Sequence, residues 1–291
     1  MAIRADHVHA AQAILGEGPV WLPHESALWF TDIKARRLHR FDPEAGVSRS
    51  WDAPDQPGWV LPACDGTLVA GLKCGLHRFD PAEGRFTPLH DPEPHLPENR
   101  LNDAAIHPDG GLWFGTMDDA ELAPTGRLYR FGAAGAADSG LPPVTITNGP
   151  AFSSDGTILY HVDTLGRTVW QVPLAGGEIA GAPTLFARIE DGAGYPDGLT
   201  VDAEGCVWMG LFGGWAVRRY APNGLLVEAV AFPVANVTKI AFGGDDLGIA
   251  YVTTARKGLS EADLAAQPLA GDLFAFRCPG TVGLPPVRAR I

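Results

Sequence analysis

Short apolar runs recur in pairs along this chain, each pair split by a tight polar turn. Pro19-Val20-Trp21 leads into Ala27-Leu28-Trp29-Phe30, Trp59-Val60-Leu61 into Leu68-Val69-Ala70, and Ala104-Ala105-Ile106 into Leu112-Trp113-Phe114. Pro150-Ala151-Phe152 leads into Ile158-Leu159-Tyr160, Leu199-Thr200-Val201 into Val207-Trp208-Met209, and Ile240-Ala241-Phe242 into Ile249-Ala250-Tyr251. A third segment follows in each copy, such as Leu38-His39-Arg40-Phe41 or Leu128-Tyr129-Arg130-Phe131, with the two-residue alternation of a half-buried strand. The turn glycines Gly66, Gly110, Gly156 and Gly205 lie 44, 46 and 49 residues apart. A period in this range marks a β-propeller with one four-stranded blade per repeat. The pattern predicts an all-β, six-bladed β-propeller formed as a single domain over residues 1–291, with about 48 residues per blade. Helical periodicity is nearly absent. The exception is 260–267, with Ser260 as N-cap and Asp263 at N3, ended by Pro268.

Composition agrees with a turn-rich β fold: 36 Gly and 25 Pro punctuate a chain that is 46% hydrophobic. A formal charge of −12, from 22 basic and 34 acidic residues, leaves no basic surface for nucleic acid. Asp6, His7 and His9 interrupt the N-terminal region, and no apolar run approaches the ~20 residues of a membrane helix. Cys64, Cys74, Cys206 and Cys278 form no CxxC pair and scatter over three blades, which suits free thiols in a cytoplasmic protein. The expectation is a soluble monomer or weak homodimer acting on a small molecule, with no nucleic-acid or membrane partner.

Motifs for nucleophilic or nucleotide chemistry are missing: there is no GxSxG, HExxH, P-loop or EF-hand loop. His7 and His9 have a zinc-like spacing but fall on a terminal strand, where alternate exposure explains them. Carboxylates and amides are what remain.

Aligning the repeats on their turns brings one register forward. Eight residues before the turn glycine stand Asn102, Asn148 and Asp197, and the longer first turn puts Glu17 at the same place. Trp59 lies near this position in the second repeat, and Thr238 and Lys239 in the sixth. In a propeller this register lies at the mouth of the axial channel. Two carboxylates converging there repel unless protonated or neutralised. A divalent cation removes the conflict, with Glu17, Asn148 and Asp197 as oxygen ligands and open positions for water and substrate. Such donors suit Fe²⁺, Ca²⁺, Mn²⁺ or Mg²⁺, and suit Zn²⁺ less. The competing reading is structural: Glu17-Gly18, Asn148-Gly149 and Asp197-Gly198 are also turn-forming dipeptides.

At these residues the chain resembles the gluconolactonase/regucalcin (senescence marker protein) family of six-bladed propellers, over nearly its whole length. The resemblance is carried by Gly16-Glu17-Gly18-Pro19-Val20-Trp21, Asn99-Arg100-Leu101-Asn102-Asp103, Gly115-Thr116-Met117, Thr147-Asn148-Gly149-Pro150 and Tyr195-Pro196-Asp197-Gly198. It implies a metal-dependent sugar-lactone hydrolase for an aldonolactone such as gluconolactone or xylonolactone. Its metal ligands would be Glu17, Asn148 and Asp197, with Asp197 also taking a proton from the attacking water. Arg100 and Asn102 would contact the sugar. The family's acidic residue after Gly-Thr-Met falls, in strict register, on Ala120, which leaves Asp119 or Glu121 for that role. For Arg100 the alternative is an ion pair with Asp103 or a surface charge. Tyr195, Trp59 and Phe212 are candidate pocket walls. Two other functions remain open: a non-catalytic metal-binding regulator or scaffold, and a promiscuous aryl-ester or phosphotriester hydrolase.

Overall fold

The protein is described by a computed structural model covering residues 3–132 and 134–291. Six antiparallel sheets follow one another in chain order, and each begins on the axis. The inner strands are Gly16–Leu22, Pro57–Pro62, Asn99–Ile106, Thr147–Phe152, Tyr195–Val201 and Val237–Gly243, for blades 1 to 6. Each inner strand packs against the inner strand of the next blade, and blade 6 packs back on blade 1, so the ring is closed. Closure also uses the chain's beginning: strand Asp6–His9 pairs with Leu273–Phe276 as the outermost strand of blade 6. Blade 4 carries a fifth short strand, Glu178–Ile179.

The helix forms as Glu261–Ala266, started by a Ser260–Asp263 capping box. Among the described residues no helix is long and apolar enough to cross a membrane. All four cysteines are free thiols.

Apolar side chains fill the spaces between blades. Trp29, Trp113 and Trp208 come from second strands and Trp59 from an inner strand, and all four are fully buried. Trp59 packs near Phe114 in the seam between blades 2 and 3, so it is not a wall of the candidate cavity.

One irregularity repeats around the ring. In every blade the pairing of inner and second strand slips at the same level: Glu17/Val20, Pro57/Trp59, Leu101/Ala104, Asn148/Ala151, Pro196/Leu199 and Val237/Ile240. Each slip is a β-bulge, where an extra inner-strand residue escapes the ladder and its side chain is re-aimed. Backbone groups around the bulges find threonine hydroxyls. Thr31 donates to the Glu17 carbonyl at 3.2 Å, Thr147 to that of Thr116 at 2.7 Å and Thr238 to that of Gly16 at 2.6 Å.

The far mouth is crossed by the C-terminal segment 281–291. It is tied to blades 5 and 6 by Ala203 N–H to Val282 O (2.9 Å) and Gly283 N–H to Leu247 O (2.8 Å). It reaches blades 2 and 3 through Ala289 N–H to Pro62 O and Arg290 N–H to Gly110 O, both 2.8 Å.

Candidate active site

Two cavities lie along the axis. The one above the bulges, about 240 Å³, is lined by Glu17, Asn102, Asn148 and Asp197 from four different blades. Arg100, Glu121 and Lys257 complete its charged lining, and Thr164 adds a hydroxyl. Leu15, Met117, Ile146, Leu165, Tyr195 and Phe212 form its apolar wall. Tyr195 is braced by the Arg167 guanidinium, 4.6 Å from the ring centre.

Glu17 and Asp197 are 6% and 5% exposed, yet neither has a cationic hydrogen-bond partner. Among the described residues the Glu17 carboxylate accepts only from Gly18 N–H, at 2.9 Å, and the Asp197 carboxylate accepts from no group. Burial pushes the Glu17 carboxyl up to about 7, helped by the Asp103 charge. Burial, then Glu17 and Asp103, push the Asp197 carboxyl well above its ordinary value. Two carboxylates left unneutralised in a small enclosed space fit a cation.

The third oxygen is oriented by a chain of hydrogen bonds. Asn148 Nδ2 donates to Thr164 Oγ1 at 3.0 Å, and its Oδ1 accepts from Asn102 Nδ2 at 2.8 Å. An amide oxygen has a second lone pair, so Asn148 Oδ1 retains capacity for a cation. Asn102 Nδ2 also donates to Thr147 O at 2.6 Å, while Asn102 Oδ1 accepts from Arg100 Nη1 at 2.7 Å. No histidine or cysteine lines the cavity, so the donor set is oxygen alone and fits a hard divalent ion. Among the described residues no cluster of three or more His, Cys, Asp or Glu suits an ion; here an amide supplies the third donor.

Arg100 is 2% exposed and pairs with Asp119 (3.0 Å), not with Asp103 or solvent. Asp119 is a hub that also accepts from Lys34 at 2.7 Å, Gln56 at 2.9 Å and Lys73 at 3.2 Å. Burial opposes its ionisation, but the Lys34 and Gln56 hydrogen bonds and the Arg100 charge outweigh burial. They hold the carboxyl well below the usual range. Asp119 is absent from the cavity wall, whereas Glu121 stands on it and pairs with Lys257 of blade 6. The turn between them explains the difference. Asp118 accepts from Ala120, Leu122 and Ala123 N–H at 3.2, 2.9 and 2.9 Å, curling the loop, with Glu121 at φ 62°.

Sequence reasoning missed Thr164 and Lys257, offered Asp103 only as an alternative partner of Arg100 and gave Lys239 no role; the two form a buried ion pair below the cavity.

The sequence profile of the SMP-30/Gluconolactonase/LRE-like region matches residues 15–256. Among curated proteins, the chain is 34% identical over 267 residues to the 6-deoxy-6-sulfogluconolactonase of Pseudomonas putida, covering 91% of each. It is 37% identical over 265 residues to the L-arabinolactonase of Azospirillum brasilense, covering 89% of this chain and 87% of that one. The crystal structure of a calcium-binding protein, regucalcin, from Agrobacterium tumefaciens superposes with a TM-score of 0.94. Identity there is 29%, over 100% of this chain and 99% of that one.

Proposed function

This chain belongs to the SMP-30/Gluconolactonase/LRE-like family, and from that footing we propose that it hydrolyses an aldonolactone to the aldonic acid with a divalent cation at Glu17, Asn148 and Asp197. The observation that carries the reading is the meeting of two buried, unneutralised carboxylates and one oriented amide oxygen in a cavity open to the upper mouth. Named lactonases among the relatives support sugar lactones as the substrate class, gluconolactone and xylonolactone being the first to test. Four free thiols fit a cytoplasmic setting.

A bound divalent cation would supply Lewis acidity toward the lactone oxygens. The chain's own residues account for the rest. Asp197, a carboxylate on the cavity wall beside Glu17 with no hydrogen-bond donor among the described residues, accepts the proton of the attacking water. Arg100, fixed by Asp119 and Asn102, offers guanidinium N–H groups to the sugar hydroxyls, and Asn102 lies beside it to set their direction. Phe212, Ile146 and Met117 keep bulk water from the reacting face. Glu121 and Lys257, paired on the same cavity wall, supply the remaining charged contacts to the sugar.

Acid release from a panel of γ- and δ-aldonolactones, followed with and without chelator, tests this. Turnover is expected to vanish on cation removal and to return with Mn²⁺, Fe²⁺ or Ca²⁺. Turnover indifferent to complete cation removal would overturn the mechanism. Cation binding without turnover of any lactone would favour a non-catalytic binding protein.

A further inference from the structure

The cation site and the far cavity are separated by a layer one residue thick. In blade 1, Glu17 lines the upper cavity and Pro19 the lower, with Gly18 between. Blades 4 and 5 repeat this as Asn148, Gly149, Pro150 and Asp197, Gly198, Leu199. The middle residue is glycine in these three blades because neighbours already occupy the space. A Cβ on Gly18, which has φ 54°, would meet Gly58 O at 2.9 Å, and one on Gly198 would overlap the Lys239 stem.

Blades 3 and 6 break the rule with Asp103 and Lys239. These blades face each other in the six-membered ring, so the ion pair crosses the axis. Both residues are buried. Asp103 is pinned on several sides: Oδ1 accepts from Ala104 N–H at 2.7 Å and from Lys239 Nζ, and Oδ2 accepts from Gly149 N–H at 3.0 Å. Gly149 directly follows Asn148, so the pin reaches the backbone of the amide ligand. Lys239 Nζ also donates to Ala104 O at 3.3 Å, and Lys239 lines the lower cavity. Asp103 also directly follows Asn102, whose Nδ2 donates to Asn148 Oδ1, so its charge touches the ligand shell by two routes.

We propose that Asp103 and Lys239 form the charge-setting floor of the cation site: Asp103 adds an outer negative charge that strengthens divalent-cation binding, and Lys239 balances it. Asp103 is thus a positioning residue and touches no substrate. This rests on the cation reading above. A brace and a charge-setting floor differ in sign. If the pair only braces the ring, losing either partner loosens the ligands and weakens binding alike. If it sets the field, removing the carboxylate weakens binding and removing the ammonium tightens it.

Titration calorimetry with Mn²⁺ alone, on the full chain at low ionic strength, separates the two, with thermal unfolding run alongside. Asp103→Asn is expected to weaken Mn²⁺ binding about 10- to 100-fold, the usual cost of losing an outer-shell partner. Lys239→Met is expected to tighten it about 3- to 10-fold while lowering the melting temperature, since it strands a buried carboxylate. Should a single variant fail to fold, the neutral pair Asp103→Asn/Lys239→Met keeps the test open. It is expected to bind about 3- to 10-fold more weakly than the parent, because Asp103 is bonded beside the amide ligand, at Gly149 N–H, whereas Lys239 lines the lower cavity. Equal weakening by both single variants, or affinities all within about twofold of the parent, would overturn the floor. If the parent chain binds no Mn²⁺ at all, the cation reading falls as well, an outcome distinct from unchanged variants of a tight-binding parent.

Discussion

The two axial cavities make an instructive pair. They are similar in size, about 240 and 290 Å³; inner strands of all six blades line the larger, and those of blades 1, 3, 4 and 5 line the smaller as well. The larger one is walled by Pro19, Pro108, Pro150, Pro285, Pro286 and aliphatic side chains, and segment 281–291 lies across it. Among the described residues Lys239 is its one charged lining residue. The smaller one collects carboxylates, amides and cations. Size therefore does not locate the chemistry. Above the bulges the strands present oxygen and charge, while below them the same strands present a seal.

The largest break in this contrast is expected from Asp197→Ala. Removing the buried carboxylate that the proposed mechanism uses as both ligand and base should cut kcat/KM for the preferred lactone by about 10³-fold or more. The cation-free protein should melt no lower than the parent, because an unpartnered buried charge has been removed. Steady-state kinetics and calorimetric melting on one preparation check both halves. A parent-like rate would remove Asp197 from the reaction.

Asp119→Asn should come next. It leaves Arg100, Lys34 and Lys73 facing one another, and should cost about 2–3 kcal/mol, below the full penalty for breaking a deeply buried pair because Asp119 is partly solvated. Its sign with pH is fixed by a depressed carboxyl. The stabilisation is present above the unfolded-state value near ~4 and is lost as pH falls through the folded-state value. Denaturant unfolding of parent and variant should therefore differ at neutral pH and converge in acid. A constant gap across the acid range would show that Asp119 acts by shape and not by charge.

The smallest catalytic effect is expected from truncation at the lower end. Deleting residues 284–291 opens the apolar cavity and removes several backbone hydrogen bonds, at about 1 kcal/mol each. Stability should drop by about 2–4 kcal/mol, while Mn²⁺ affinity and kcat/KM stay within about threefold of the parent. A collapse of cation affinity would show that the two ends are coupled through the floor.

Much of the upper cavity was readable beforehand because its residues repeat at blade spacing. Glu17, Asn102, Asn148 and Asp197 share one register, and a closed ring turns shared register into convergence. What stayed hidden depends on partners from other blades. Nothing near Asp119 in the chain announces Lys34, Gln56 and Lys73, which arrive from blades 1 and 2. Trp59 sat close to the right register, yet packing turned it into the seam. For Asp103 and Lys239 a signal did exist: opposite charges replace glycine in the two blades that face each other. Reading it required treating a broken repeat as information.

The obstructed axis also governs traffic. With an ion pair across the middle and segment 281–291 over the far end, the proposed reaction would have incoming lactone and outgoing acid share one doorway. A straight-through conveyor is ruled out by construction. In the proposed reaction the released aldonate would carry a fresh negative charge past Arg100 and Lys257, both on that cavity wall, so accumulating acid would compete with the next sugar ring.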